Sequence, residues 1–120
     1  MPETLYDRLG GADGVAAIAH DIVTLHLQNP RIKNRFEVVK DKAALETHVR
    51  TFLGSGTGGP EVYAGRDMTA AHRGMNIDEA ELVAAIDDVL KALEKNAVAE
   101  VDRNEILSVL YGLKGEVMFK

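Results

Sequence analysis

The sequence predicts an all-α single domain, on three observations. Apolar residues recur at helical spacing along most of the chain. No convincing period-2 stretch interrupts them. Glycine and proline clusters then cut the pattern into pieces of helix length. The 120 residues, 46% apolar and 28% charged, suit one globular domain over residues 1–120.

The elements follow in order. A short helix over about 3–9 stops at Gly10-Gly11. The second runs from about Asp13 to Gln28, with Val15, Ile18, Ala19, Ile22 and His26 in one stripe and Val23 and Leu25 at its edges. Pro30 ends it, and a short helical turn reaches Phe36. The next helix, about 41–53, carries Leu45, Val49 and Phe52, with His48 on the same side. A breaker segment follows, from Gly54 through Pro60 to Gly65. Met68, Ala71 and His72 then show helical spacing over a turn or two. Asp78 caps a strong helix to about Lys95, with Glu81 placed for a reciprocal cap and Leu82, Ile86, Val89, Leu90 and Leu93 inward. The last helix is about 101–118, with Ile106, Val109, Leu110, Leu113 and Val117 inward.

Composition excludes several functions. Fourteen basic against nineteen acidic residues leave a net charge of −5, a poor match for nucleic acid or an anionic membrane. The absence of Cys excludes disulfides, thiolate metal sites and c-type haem attachment. No apolar run approaches the ~18 residues of a membrane helix. No secretory signal is visible, so the cytoplasm is the expected location. Three Tyr, three Phe and no Trp are few aromatics for such a core, a hint that something other than side chains fills part of it.

The run Gly54-Ser55-Gly56-Thr57-Gly58-Gly59 matches G-x-G-x-x-G. A dinucleotide site needs a strand before these glycines and a helix after them. Here a helix precedes and Pro60 follows, so the run reads as a helix terminator and turn.

Four histidines are present, none in a His-x-x-x-His pair. His20 falls on the solvent side of its helix. His26 lies in the apolar stripe near a helix end, as a buried His bonded to a carbonyl or interacting with the helix C-terminus would. His48 and His72 each sit among apolar neighbours. Either reads alone as a satisfied core His. Together they suggest two imidazoles facing a shared apolar cavity, and neutral imidazole is the usual haem-iron ligand where no thiolate exists.

Leu5-Tyr6-Asp7-Arg8-Leu9-Gly10-Gly11, the segment Gln28–Phe36 and the 15 residues Gly58–His72 resemble the group I truncated hemoglobins. Arg73-Gly74-Met75-Asn76-Ile77 resembles their lead into the next long helix. The resemblance covers nearly the whole chain and implies a two-over-two helical sandwich around haem b. His72 would be the proximal iron ligand and Phe36 would pack on the porphyrin. Phe52, Tyr63, Met68 and Leu82 match positions that line the pocket, and Arg66 would help neutralise a propionate or stand as a surface Arg.

The distal side departs from the family. Val23 stands where group I members usually place a Tyr whose hydroxyl bonds bound oxygen, which Val cannot do. Thr47 stands where some members place an iron-binding Lys or His, and small Ala44 leaves room near the sixth position. His48 aligns with a frequent Gln and is the strong donor on this helix. It would bond bound O₂ or bind iron directly in a six-coordinate haem; otherwise it is a buried His turned away. His26 is the reserve candidate.

The resemblance implies reversible binding of O₂, NO or CO, with NO or peroxide detoxification as candidate reactions. No reductase domain is visible, so turnover requires an external reductase. A bis-histidyl electron-transfer or gas-sensing protein is the alternative, and a non-haem helical interaction protein the third reading. A monomer is the default expectation.

Overall fold

The computed structural model describes residues 3–60, 74 and 76–118. Among them the helices are α1 (Leu5–Arg8), α2 (Gly11–Gln28), α3 (Lys33–Glu37), α4 (Lys42–Gly56), α5 (Glu79–Lys95), α6 (Glu100–Gly112) and α7 (Lys114–Val117). The described residues form no sheet; one parallel bridge joins Ile77 to Met118. None of these helices is long and apolar enough to cross a membrane.

α2 packs against α4 on one side and α5 on the other, and α5 packs against α6. Two helix pairs, α2/α4 and α5/α6, are thus stacked through α2. The reason lies in the stripe of α2. Val15, Ile18 and Ala19 are fully buried, and Ile22 and Val23 nearly so. Val15, Ile18 and Ile22 join Leu5, Tyr6, Leu9, Ala92, Leu93, Val98 and Ile106 in the main core. Hydrophobic burial of this stripe, not intrinsic helix propensity, holds a helix of this length in place. Leu82, Ile86, Ile77, Val117 and Met118 form a second cluster.

Local chemistry sets the helix ends. Thr4 caps α1 reciprocally with Asp7, at 3.2 Å in each direction. Gly10 and Gly11 take φ of +101° and +66°, the left-handed turn that lets α2 start directly behind α1. A Cβ at Gly14 would stand 2.0 Å from the Leu9 carbonyl oxygen, so the close approach of the two helices requires glycine there. Asp78 and Glu81 form the expected reciprocal cap of α5.

The C-terminus of α5 closes in a Schellman arrangement. The Val98 N–H donates to Leu93 O at 3.0 Å and the Ala97 N–H to Glu94 O at 3.0 Å, with Ala97 left-handed at φ +58°. The N-terminal turn is tied across the fold. Tyr6 N–H donates to Thr57 O at 2.9 Å, and Arg8 Nε to Asp102 Oδ1 at 2.9 Å.

Two boundaries and one burial differ from the sequence reading. α4 continues to Gly56 rather than stopping near Leu53, because the Thr57 hydroxyl and N–H both reach Leu53 O, at 2.8 and 3.1 Å. The C-terminal helix is two helices, broken at Leu113. Val109 is 51% exposed and not inward. The stripe of α6 leans through Asp102, Ile106, Leu107 and Leu110, which leaves Val109 on its outer flank.

Candidate functional site

The expected distal residues sit on the packed pair α2 and α4. Val23 is buried on α2. On α4, Ala44 and Phe52 are half-buried, while Thr47 and His48 are exposed. His48 is therefore not a buried His turned into the core. Its neighbours on the helix face, Leu45, Val49 and Phe52, are only half-buried. Among the described residues, α3 has no buried residue and α4 only Gly54. The apolar sides of these helices near the expected site thus stay partly uncovered.

The α4 threonines spend their hydroxyls on their own helix. Thr47 donates to Ala43 O at 3.0 Å, and Thr51 to Thr47 O at 3.0 Å. An exposed contact between His20 Nδ1 and Glu46 Oε1, 2.7 Å long, links α2 to α4. His20 is solvent-facing as expected, and has this carboxylate as partner.

Phe36, half-buried on α3, stacks on His26 with ring centroids 4.8 Å apart and planes inclined by 24°. His26 is buried, as its place in the stripe predicts, but its partner is a carboxylate and not a carbonyl. Nδ1 lies 2.8 Å from Asp88 Oδ2 on α5. Asp88 is 2% exposed. Its oxygens also accept from Asn29 Nδ2, at 3.2 and 3.0 Å. The Arg31 N–H donates to Asn29 Oδ1 at 3.1 Å, which fixes the orientation of the amide. Burial lowers the His26 pKa below its usual value and the bond to Asp88 opposes that. A carboxylate accepts only, so the neutral ring carries its proton on Nδ1.

A second polar tie lies beside it. Arg35 on α3 donates through Nη2 to Glu81 Oε1 at 3.0 Å and through Nε to Glu81 Oε2. The Arg35 guanidinium holds the Glu81 carboxyl below the ordinary carboxylate value. α3, which carries Phe36, is thereby held by both α2 and α5.

Leu82 is buried, in the cluster with Ile77 and Met118. Tyr63, Arg66, Met68 and His72 lie outside the described residues. Two surface clefts, about 680 and 280 Å³, are lined by residues such as Asn29, Pro30 and Lys91 and contain none of the expected site residues. Both lie open at the surface, unlike the enclosed clefts that bury most of a small ligand. Among the described residues no group of three or more His, Cys, Asp or Glu could hold a metal ion.

Sequence reasoning missed Asp88, Asn29 and the Arg35–Glu81 pair. A signal for Asp88 existed: it lies midway between Ala84 and Ala92, four residues from each on one helix face, and both are buried.

The model of a family described as bacterial-like globin matches residues 4–119. The group 1 truncated hemoglobin of Synechocystis sp. is 35% identical over 103 residues, covering 81% of this chain and 81% of its own. That of Tetrahymena pyriformis is 29% identical over 121 residues, covering 99% and 98%. The crystal structure of the Tetrahymena pyriformis protein in its Fe(III) form superposes with a TM-score of 0.93 at 28% identity, covering 98% of this chain and 100% of that one.

Proposed function

Because the chain belongs to the bacterial-like globin family and, within it, to the group I truncated hemoglobins, we propose that it works as a haem b protein binding O₂, NO or CO at the iron. The observation that carries this reading is the family match over residues 4–119. The residues present fit a flat apolar group. Leu45, Val49, Phe52 and Phe36 keep apolar surface partly open on α3 and α4, and covering such surface is favourable.

Bound haem would supply an iron centre able to take a diatomic ligand. His72 is the proximal ligand in this reading, and Phe36 packs on the porphyrin face. Phe52, Tyr63, Met68 and Leu82 would line the pocket in the same reading, and Arg66 would help neutralise a propionate. On the distal side Val23 offers no donor and excludes water by its apolar bulk. Ala44 keeps the space small-sided. The Thr47 hydroxyl is committed to Ala43 O. His48 therefore carries the distal chemistry, donating a ring N–H to bound ligand. Oxidation of NO to nitrate, or peroxide handling, draws electrons from a separate reductase, and the protein works as a cytoplasmic monomer.

A second reading rests on the exposed position of His48 between half-buried Leu45 and Phe52. A ring not locked in the core is able to take the sixth iron position through Nε2, and ligands then compete with it. The visible spectrum of the dithionite-reduced protein separates the two. A single broad band means an open sixth site. Sharp split bands mean a six-coordinate haem, which His48→Leu converts to five-coordinate. A chain that develops no Soret band with added haemin overturns the haem reading.

A further inference from the structure

We propose that His26, oriented by Asp88 and Asn29, is a positioning residue for Phe36 and so sets how firmly haem is held. The inference rests on the haem reading above and extends it to residues one layer behind the expected pocket.

Phe36 belongs to a five-residue helix with no buried residue, too short to fix a side chain by its own packing. Its ring is nonetheless placed, because the His26 ring stacks on it at 4.8 Å. The His26 ring is placed in turn by three polar links in series. The Arg31 N–H fixes the Asn29 amide, the amide donates to both Asp88 oxygens, and Asp88 Oδ2 accepts a hydrogen bond from the His26 Nδ1–H at 2.8 Å. Leu or Val at position 26 would satisfy the apolar stripe at lower cost, since a buried His and Asp must each be desolvated. What the polar set adds is a fixed ring plane. An imidazole held by one nitrogen cannot rotate about its Cβ–Cγ bond without breaking that bond, so it presents one face to Phe36. The opposite face of Phe36 is then available to a porphyrin, as in an aromatic stack of offset rings.

The test uses the full chain loaded with haemin, and follows haemin transfer to an excess of a colourless haem acceptor. His26→Leu is expected to lose haemin about tenfold faster, the usual scale for removing a residue that orients a group in contact with a metal centre. Asp88→Ala should do the same, while Asp88→Asn, which keeps an acceptor for Nδ1–H, should stay within about twofold of the parent. Thermal unfolding of each variant is measured beside it. Lower stability with an unchanged haemin-loss rate shows a merely structural role and overturns the proposal. If the variants fail to fold, the parent protein decides. An NMR Overhauser contact between the His26 and Phe36 rings in the CO-bound ferrous holoprotein is expected, and its absence overturns the proposal. A parent chain that takes up no haemin overturns the haem reading and this inference together. Uptake by the parent with no change in His26→Leu overturns the inference alone.

Discussion

Glu81 joins two structural tasks in one carboxylate. Its Oε1 accepts from Arg35 Nη2 at 3.0 Å and from the Asp78 N–H at 3.3 Å, while Oε2 accepts from Arg35 Nε. The start of α5 and the placement of α3 therefore depend on the same group. Bidentate geometry and partial burial make this pair stronger than an ordinary surface contact.

Glu81→Gln should separate the two tasks. Gln retains the cap and loses the charge, so a loss of about 0.5–1 kcal/mol at neutral pH is expected. The hydrogen bond from Arg35 holds the Glu81 carboxyl below the ordinary carboxylate value. The unfolded chain thus binds the proton more readily, and the stability this group contributes is present above that value and lost as pH falls through the folded pKa. Urea unfolding at pH 7 and pH 3 checks this: the gap between parent and Glu81→Gln should shrink at pH 3.

Gly14→Ala should destabilise the protein although alanine is the better helix former by about 1 kcal/mol. The new Cβ would lie 2.0 Å from Leu9 O and 2.8 Å from Leu9 C, both backbone atoms that cannot rotate away. Either α1 lifts off α2 or the start of α2 unwinds. A loss of about 2–4 kcal/mol is expected, in the range of an overpacked or strained core site. A calorimetric melting temperature equal to that of the parent would contradict the close approach.

Ala97→Gly should act with the opposite sign. Ala97 holds φ +58° at the position after the α5 C-cap, where glycine is usual. Relief of the left-handed strain, about 1–2 kcal/mol, outweighs the added freedom of the unfolded chain, about 0.5–1 kcal/mol. A rise of a few degrees in melting temperature is expected, and Ala97→Val should lower it. A fall in the Gly variant would place the cap in another conformation.

His26 should make the fold sensitive to mild acid. Burial lowers its pKa below the ordinary imidazole value, against the pull of Asp88. A depressed basic group contributes stability above its unfolded value, and that contribution drains away as pH falls toward the folded value. The slope from this one proton is at most about 1.4 kcal/mol per pH unit. Denaturant unfolding between pH 7 and pH 5 measures it, and His26→Phe should flatten the profile. Identical slopes in the two proteins would show that His26 does not charge on unfolding in that range.

These residues also show what a sequence can and cannot reveal. The cap of α5 was legible because Asp78 and Glu81 act within one turn. The stripe Val15, Ile18, Ile22 was legible because helical spacing alone decides which side is buried. His26 was legible as buried, but its partner Asp88 is 62 residues away, and no local pattern names a carboxylate on another helix. The break at Leu113 and the exposure of Val109 depend on where α6 leans on α5, a tertiary choice between two flanks of one apolar face. On the site, α2, which carries Val23, packs against α4, which carries His48. The proximal candidates Tyr63, Arg66, Met68 and His72 lie outside the described residues, so their roles rest on sequence.

The two ties of the N-terminal turn have a kinetic side. Tyr6 meets Thr57 and Arg8 meets Asp102, contacts that join the first residues to chain segments synthesised much later. Closing loops of that length costs entropy before any contact rewards it. α1 is therefore expected to dock after α2, α4 and α6 have assembled, and to leave early on unfolding. Weakening the clasp, as Arg8→Ala would, should leave the refolding rate nearly unchanged and quicken unfolding. Residues 4–9 thus act as a latch on the lifetime of the folded state more than as a guide to reaching it.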